Sequence, residues 1–359
     1  MRILFILENF YPKIGGVETL FWQLATKLTE KGYQITVFTT AAIGAPKKEV
    51  LNGIQIIRTP YSNRYFFTFL SGFRVLRLAF GHDLIHTTSY NAAIPAFFGS
   101  LIARKHCIIT FHEVWDNLWF KMSAFAKWKQ LLHYYFEKFV LILPFEKFVG
   151  VSKYTTDALL KSGIEQHKIV KIYNGLDYDF LEKQKILSDT GETYLFYGRL
   201  GISKGIDILL DALQLLISKG IDVRLKMIIP TTGSAYNSLI REIKAKNLKE
   251  NITIEDQVSY PILLSEIQSA KAVVIPSFTE GFCFVAAETA AMNTPIISSG
   301  KGALKEVATG QIIEMASYNS EDLADAFAKA EKGEWKNIPF KKFELSEAIK
   351  EYIDLYESI

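Results

Sequence analysis

Apolar positions along the chain follow two alternating rhythms, short solid runs and longer stretches with one apolar stripe. Residues 2–7 (RILFIL) form a nearly continuous apolar run, as expected of a strand buried on both faces of a parallel sheet. A loop with Pro12, Gly15 and Gly16 follows. The next stretch is a helix with Leu20, Phe21, Leu24, Ala25 and Leu28 on one face. Gly32 can close it with a left-handed cap. Residues 34–39 (QITVFT) give the next strand and complete one strand–helix–strand unit. A Phe- and Leu-rich helix then leads to a strand ending at Leu84–His86. Further strands fall at Ile108–Phe111 and Phe148–Val151.

Residues 176–192, which include Gly191, break the rhythm and read as a linker. It restarts with strand 193–197 (TYLFY) and helix 205–218, where Ile208, Leu209, Ala212, Leu213 and Leu216 share a face. Strand 223–229, a polar helix near 235–247, a strand near 252–255, helix 261–270, strand 272–275, helix 283–292 and strand 295–298 follow. Strands alternating with helices of this length imply a parallel sheet covered on both faces. The pattern occurs twice, so it predicts two such domains, at 1–176 and 177–340. Residues 341–359, with Phe343, Leu345, Ile349, Tyr352 and Leu355, read as a last helix able to pack on either domain.

Composition agrees with that picture and narrows the chemistry. The chain has 359 residues, too many for one typical domain and comfortable for two. Apolar residues make up 49% and charged residues 22%, which suits a globular protein and not a disordered one. A net charge of +3 speaks against nucleic acid, whose footprint is a dense basic face. Cys107 and Cys283 stand far apart with no CxxC spacing, which suggests neither a disulfide framework nor a zinc site. A reduced, cytoplasmic setting fits them. The N-terminal run is broken by Glu8 and Asn9, unlike a signal peptide. No stretch of about 18 apolar residues occurs, so no spanning helix is expected.

Four segments carry candidate chemistry. The richest runs from Pro276 to Val307, PSFTEGFCFVAAETAAMNTPIISSGKGALKEV. Glu280 and Glu288 stand there with seven residues between them. Gly281 precedes a helix expected to start near Phe282. A helix N-terminus offers backbone N–H groups and a positive dipole end, which suits a diphosphate. Carboxylates accept well from pairs of sugar or ribose hydroxyls. Taken alone, the two glutamates read equally as surface residues with a capping role. The second segment is YGRLGISKG at 197–205, where Arg199 and Lys204 sit between a strand and a helix. Cations at that sheet edge can neutralise a pyrophosphate, and Arg adds forked hydrogen bonds. Alone they would read as solvated surface charges. Both segments follow strands of the second domain and should face one cleft, which argues against the bland reading of each. The third is KIGGVE at 13–18, whose Gly15 and Gly16 resemble half of a dinucleotide fingerprint or a tight turn needing positive φ. The fourth is His112, just after a strand end, where it is either a packed residue or a ligand contact.

These residues resemble a known family. The pair in EGFCFVAAE looks like the E-x7-E signature of retaining glycosyltransferases of family 4, which have the GT-B fold. GGVE (15–18), FVGVSKYTTDALLKSG (148–163), KIVKIYNGLDYDF (168–180), GRLGISKGIDILLDAL (198–213) and TPIISSGKGALKEV (294–307) resemble further family segments in the same order. The resemblance implies an α/β architecture with two Rossmann-like parallel-sheet domains facing across a cleft. It implies a last helix, 341–359, that crosses back to the first domain. It implies transfer of a hexose from a nucleotide diphosphate sugar, with retention, to a glycan or lipid-linked acceptor. Arg199 and Lys204 would hold the diphosphate, Glu288 the ribose hydroxyls and Glu280 the sugar hydroxyls. Gly281 and the amides near Phe282, Cys283 and Phe284 would support the sugar or phosphates. His112 would sit beside the sugar, through its ring or its carbonyl. Gly15 and Gly16 would lie near the phosphates and acceptor. A UDP-sugar is the default donor and a GDP-sugar the next; no cofactor and no metal are expected. Asp177-Tyr178-Asp179 looks like a metal-binding DxD but lies in the NGLDYDF segment, where Asp177 reads as an anchor of the linker. The segment MIIPTTGSAY (227–236), with Pro230, departs from the family's glycine-rich loop, and SSGKGALKE adds Lys301 and Lys305.

Basic residues interleave with aromatics at 61–80 (Arg64, Phe66, Phe67, Phe73, Arg74, Arg77) and 119–148 (Trp119, Phe120, Lys121, Phe125, Lys127, Trp128, Lys129, Lys138). Such segments suit a membrane surface and equally suit core helices with solvated cations. Peripheral contact at the inner membrane face is therefore an expectation. A nucleotide-sugar epimerase on the same two-domain plan is the competing enzyme. A binding protein with a dead site and a nicotinamide dehydrogenase are weaker competitors.

Overall fold

The computed structural model describes residues 1–13, 15–121, 125–185 and 191–359. They form two compact units, Met1–Gly175 with Ser346–Ile359, and Leu176–Leu345. Residues 186–190 of the expected linker, and Ile14 in the first glycine segment, lie outside the described residues.

Among the described residues, eight strands make the sheet of the first unit. They are β1 (Arg2–Ile6), β2 (Gln34–Thr39), β3 (Lys48–Leu51), β4 (Ile54–Arg58), β5 (Leu84–Thr88), β6 (His106–Phe111), β7 (Lys147–Gly150) and β8 (Ile169–Lys171). Their order is β3-β4-β2-β1-β5-β6-β7-β8, parallel except for the β3–β4 pair. The helices are α1 (Gly16–Glu30), α2 (Arg64–Leu70), α3 (Gly72–Ala79), α4 (Ala93–Ala103), α5 (Lys127–Ile142) and α6 (Lys153–Lys161). Successive strand residues point to opposite faces. Leu4, Ile6, Ile85 and Ile109 therefore join Phe67, Val75, Ala96 and Val140 of the helices in one core cluster. Phe5 turns the other way and meets Phe21 of α1 edge-on at 5.3 Å.

The second unit repeats the plan with seven strands among the described residues. These are β9 (Tyr194–Tyr197), β10 (Leu225–Ile228), β11 (Ile252–Glu255), β12 (Val273–Ile275), β13 (Ile296–Ser298), β14 (Gly310–Glu314) and β15 (Lys336–Ile338). The order is β11-β10-β9-β12-β13-β14-β15, with only β14–β15 antiparallel. Its helices are α7 (Tyr178–Gln184), α8 (Ile206–Ser218), α9 (Gly233–Ala245), α10 (Tyr260–Ser269), α11 (Phe284–Ala291), α12 (Leu304–Val307) and α13 (Ser320–Glu331). Leu209, Leu213 and Leu216 of α8 are buried with Phe327 of α13 and Phe196 of β9. The last helix, α14 (Leu345–Glu357), counts with the first unit from Ser346 onward.

The sheets are parallel-dominated as expected, and each also carries one antiparallel edge strand. The β3–β4 hairpin turns at Asn52 (φ 49°) and Gly53 (φ 77°). Two successive positive φ angles are what a tight hairpin turn requires, and Asn-Gly supplies them. Several expectations need correction. Helix α11 starts at Phe284 and not near Phe282, because Cys283 stands at its N-cap in the left-handed region (φ 76°). Part of the expected linker is helical: Asp177 accepts from the Phe180 amide at 3.0 Å and starts α7. Residues 341–344 are not helical, and Glu344 bridges in parallel to Leu176.

Helix α14 is pinned by a buried histidine. His86 Nδ1 lies 2.6 Å from the Tyr356 hydroxyl and Nε2 2.8 Å from Thr110 Oγ1. A neutral imidazole offers one donor and one acceptor, and a hydroxyl can take whichever role is left. Burial pushes the His86 pKa down to about 3, with His112 adding to the shift, so the ring stays neutral. Replacing Tyr356 by Phe would leave one buried ring nitrogen unpaired, a loss of about 1–3 kcal/mol. Urea unfolding of Tyr356→Phe should show a first-unit transition at lower denaturant. An unchanged midpoint would show that the contact contributes nothing.

Candidate functional site

Ligands of open parallel sheets bind beyond the C-terminal strand ends where the strand order reverses. In the second unit that point lies beside β9, which has β10 on one side and β12 on the other. The loop after β9 carries Gly198–Gly205 and the loop after β12 carries Pro276–Cys283. Topology alone therefore brings the two richest segments together.

Glu280 is buried, and its Oε1 accepts from Lys204 Nζ at 2.7 Å and from Ser277 Oγ at 2.7 Å. The ion pair joins the two loops directly. The packing around this pair is close enough to dictate glycine at two places. Gly205 has φ 64°, and a Cβ there would run into the Pro276 carbonyl. Gly302 has φ 63°, and a Cβ there would strike the Glu280 backbone. The Ala303 amide donates to the Glu280 carbonyl at 2.8 Å, so a third loop fixes the same residue. Arg199 lies in the β9–α8 loop with its side chain exposed.

Glu288, on α11, is held by two phenols. Tyr197 donates to Oε2 at 2.9 Å and Tyr260 to Oε1 at 3.0 Å. Phe180 stacks on Tyr260 with ring centroids 5.8 Å apart. Burial pushes the Glu288 carboxyl up to about 7, against the two hydroxyls, which favour the carboxylate. Gly281, Phe282 and Cys283 are buried just before the helix, and Phe284 is half-buried. The first amides of a helix have no carbonyl in a preceding turn to bond. Burial raises the Cys283 thiol pKa, and Glu280 raises it further, so the sulfur is held protonated. The site can thus offer hydroxyl acceptors, a cation pair and helix amides within one cluster of loops. Sequence reasoning missed Tyr197, Tyr260 and Ser277 as partners of the two carboxylates. Asp256 takes the Thr231 amide at 3.3 Å beside Pro230, which closes the departing loop in its own way.

The remaining predicted residues lie in the first unit. Gly15 is the N-cap of α1 and Gly16 its first residue; Gly15 has φ 173°, extended backbone with no need of glycine's positive-φ freedom. The turn reading is therefore not realised there. His112 follows β6 half-buried, its ring 6.3 Å from that of Phe21. The segment after it is clamped by Glu137 of α5, another residue that sequence reasoning missed. Glu137 is fully buried. It accepts from the Trp115 amide (2.8 Å), the Tyr90 hydroxyl (2.7 Å), the Asp116 amide (2.6 Å) and Trp119 Nε1 (3.2 Å). Trp115, Trp119, His133 and Phe125 stack in sequence at 4.8, 4.9 and 5.4 Å.

Two doubly wound units with this loop cluster define a glycosyltransferase of the GT-B fold. Residues 14–180 match the family described as Glycosyltransferase Family 4, and residues 177–354 match Glycosyl transferases group 1. The chain belongs to family 4 of the glycosyltransferases. It is 27% identical over 303 residues to an uncharacterized glycosyltransferase of Methanocaldococcus jannaschii, covering 83% of this chain and 79% of the relative. The fold matches sucrose-phosphate synthase of Thermosynechococcus elongatus with a TM-score of 0.78 at 19% identity, covering 99% and 98% of the two chains. It matches Anabaena HepE, solved in complex with UDP and glucose, with a TM-score of 0.72 at 18% identity and 99% of each chain. The family match favours transfer over epimerisation.

Two predictions follow from the geometry. The Glu288 carboxyl, raised to about 7 from an ordinary 4.5, contributes stability that is full below pH 4.5. That contribution is lost as pH rises through about 7, at no more than about 1.4 kcal/mol per pH unit. Chemical unfolding from about pH 5 to about pH 8 should therefore cost the wild type more stability than Glu288→Gln. Equal slopes would contradict the raised carboxyl. Glu137→Ala strands several buried donors and should cost about 3 kcal/mol or more. Tryptophan fluorescence should report the loosened Trp115–Trp119 segment; an unchanged spectrum and melting point would refute the clamp.

Proposed function

We propose that the chain is a retaining hexosyltransferase that uses a nucleotide diphosphate sugar and passes the hexose to a glycan or lipid-linked acceptor. The observation that carries this reading is the convergence of Glu280, Lys204 and Glu288 around the start of α11 at the strand-order reversal of the second unit. Lys204 and Arg199 hold the diphosphate, which displaces Lys204 from its resting pair with Glu280. Glu280 then turns its acceptor oxygens to the sugar hydroxyls, and Glu288 binds the ribose hydroxyls. Gly281 and the amides of Phe282, Cys283 and Phe284 support the sugar or the phosphates. His112, Gly15 and Gly16 of the first unit take the sugar-side and phosphate-side roles that the family resemblance implies.

The bond between the anomeric carbon and the diphosphate oxygen breaks, the acceptor hydroxyl oxygen replaces it, and the hydroxyl proton passes to the departing diphosphate. Cations and helix amides stabilise the charge gathering on the leaving diphosphate. Cys283, held as a thiol, does not serve as a nucleophile. The reading calls for no cofactor and no metal. UDP is the first choice of nucleotide, which the UDP-bound HepE structure supports by fold alone, and GDP is the second. A cytoplasmic setting goes with this reading.

A thermal-shift panel of UDP, GDP, ADP and dTDP, with NAD as control, tests the donor site. A ligand at about 100 times its Kd stabilises the folded state by about 2.7 kcal/mol. One nucleoside diphosphate should raise the melting temperature of the wild type, and Glu288→Ala should weaken the effect at least tenfold in affinity. A shift with NAD alone, or with none of them, would remove the donor assignment. NMR of the product should show the donor's anomeric configuration kept; inversion would overturn retention.

A further inference from the structure

The exposed large apolar side chains are not scattered evenly. Among the described residues, sixteen of the 27 fall between Tyr65 and Ile142. They come from α2 (Tyr65, Phe66, Phe69, Leu70), from α3 and its end (Phe73, Phe80), from α4, from the 3-10 turn 116–121 and from α5. Phe73 is 80% exposed, Phe69 72%, Ile142 75% and Trp128 63%. The core-helix reading of these segments is therefore only half of the truth. Their inner sides, at Phe67, Val75, Ala96 and Val140, enter one core cluster against one face of the sheet. Their outer sides must then face away from the sheet together. Helices α2, α3 and α4 pack on one another, and α5 shares their core cluster through Val140.

Charge decides what such a layer meets. Between Thr59 and Ile142 the chain carries nine Lys and Arg and four Asp and Glu. Of the four acids, Glu137 is buried, Asp83 pairs with Arg2 and Asp116 pairs with Lys138. Arg74, Arg77, Lys121, Lys127 and Lys129 are exposed among the aromatics, as is Arg64, which pairs with Glu8, and Lys129 lies over the Trp128 ring at 5.4 Å. A second copy of the chain would set this basic face against itself, because a two-fold interface repeats the same patch on both partners. An anionic lipid surface offers both an apolar layer for the rings and negative headgroups for the cations. Among the described residues no helix is long and apolar enough to cross a membrane, so these helices would lie on it.

We propose that the outer face of α2–α5 docks the protein onto an anionic lipid surface, with Phe69, Phe73 and Trp128 inserted among the headgroups and Lys127 and Lys129 over them. The proposal deepens the acceptor half of the reading above by naming a lipid surface as the place of reaction. Its geometry stands whether or not the second unit binds a nucleotide.

The test is co-sedimentation of the full chain, without donor, with vesicles of phosphatidylcholine alone or with about one-third phosphatidylglycerol. Wild type should pellet with the anionic vesicles at low salt and be released as salt rises. Phe69→Ser/Phe73→Ser/Trp128→Ser should weaken binding at least tenfold. Lys127→Gln/Lys129→Gln should weaken it about fivefold for each charge removed. Circular dichroism and melting temperature of both variants should equal those of wild type, since every altered side chain is exposed. No wild-type binding to anionic vesicles overturns the proposal. So does binding that neither variant weakens. A dimer in sedimentation velocity that the apolar variant dissociates, without vesicle binding, assigns the face to a second copy instead. Loss of nucleotide binding in the separate thermal-shift panel would leave the vesicle result untouched.

Discussion

Everything in this molecule depends on how a parallel strand must be joined to the next. Such a join cannot be a short hairpin; it crosses a face of the sheet, in one hand, through a helix. A chain that starts in mid-sheet and winds first one way and then the other leaves one place where neighbouring crossovers part. In the second unit that place is beside β9, and it collects the β9–α8 and β12–α11 loops. In the first unit the same reversal stands between β1 and β5, near the Gly15 loop. The chemistry sits where the topology leaves room.

The two glutamates of the signature occupy that room in different electrostatic states. Glu280 has a cation against it and a serine hydroxyl beside it. Glu288 has two phenols and no cation among its hydrogen-bond partners in the described residues. A carboxylate facing Lys204 has its charge compensated at rest. A carboxyl enclosed by aromatic rings gains proton affinity, because hydroxyl donors compensate burial less fully than a full charge does. One spacing rule in the sequence thus yields two chemically distinct groups, separated by what the fold puts around each.

Much of this was legible from the sequence, and the failures have physical causes. The runs around β1, β2, β9 and β12 were found because strands buried on both faces are largely apolar. Strand β15 was missed because all three of its residues are exposed and carry no apolar run. The β3–β4 hairpin was missed although Asn52-Gly53 marks it, because its exposed outer strand alternates weakly. Glu280, Lys204 and Glu288 stood out through spacing next to strand ends. Tyr260 did not: it lies 28 residues before Glu288 and meets it only through folding. Glu137 reads as one more charge on an amphipathic helix, and only partners 18 to 47 residues away show it to be buried and occupied.

A carboxyl poised near neutrality has a thermodynamic signature of its own. At pH 7 Glu288 divides between its acid and its base forms. Any ligand whose hydroxyl groups need both oxygens as acceptors selects the base, and the displaced proton must go to the buffer. The heat of binding would then vary with the buffer's ionisation enthalpy, while the free energy would not. The position of one side chain between two tyrosines would make proton release part of capturing such a ligand.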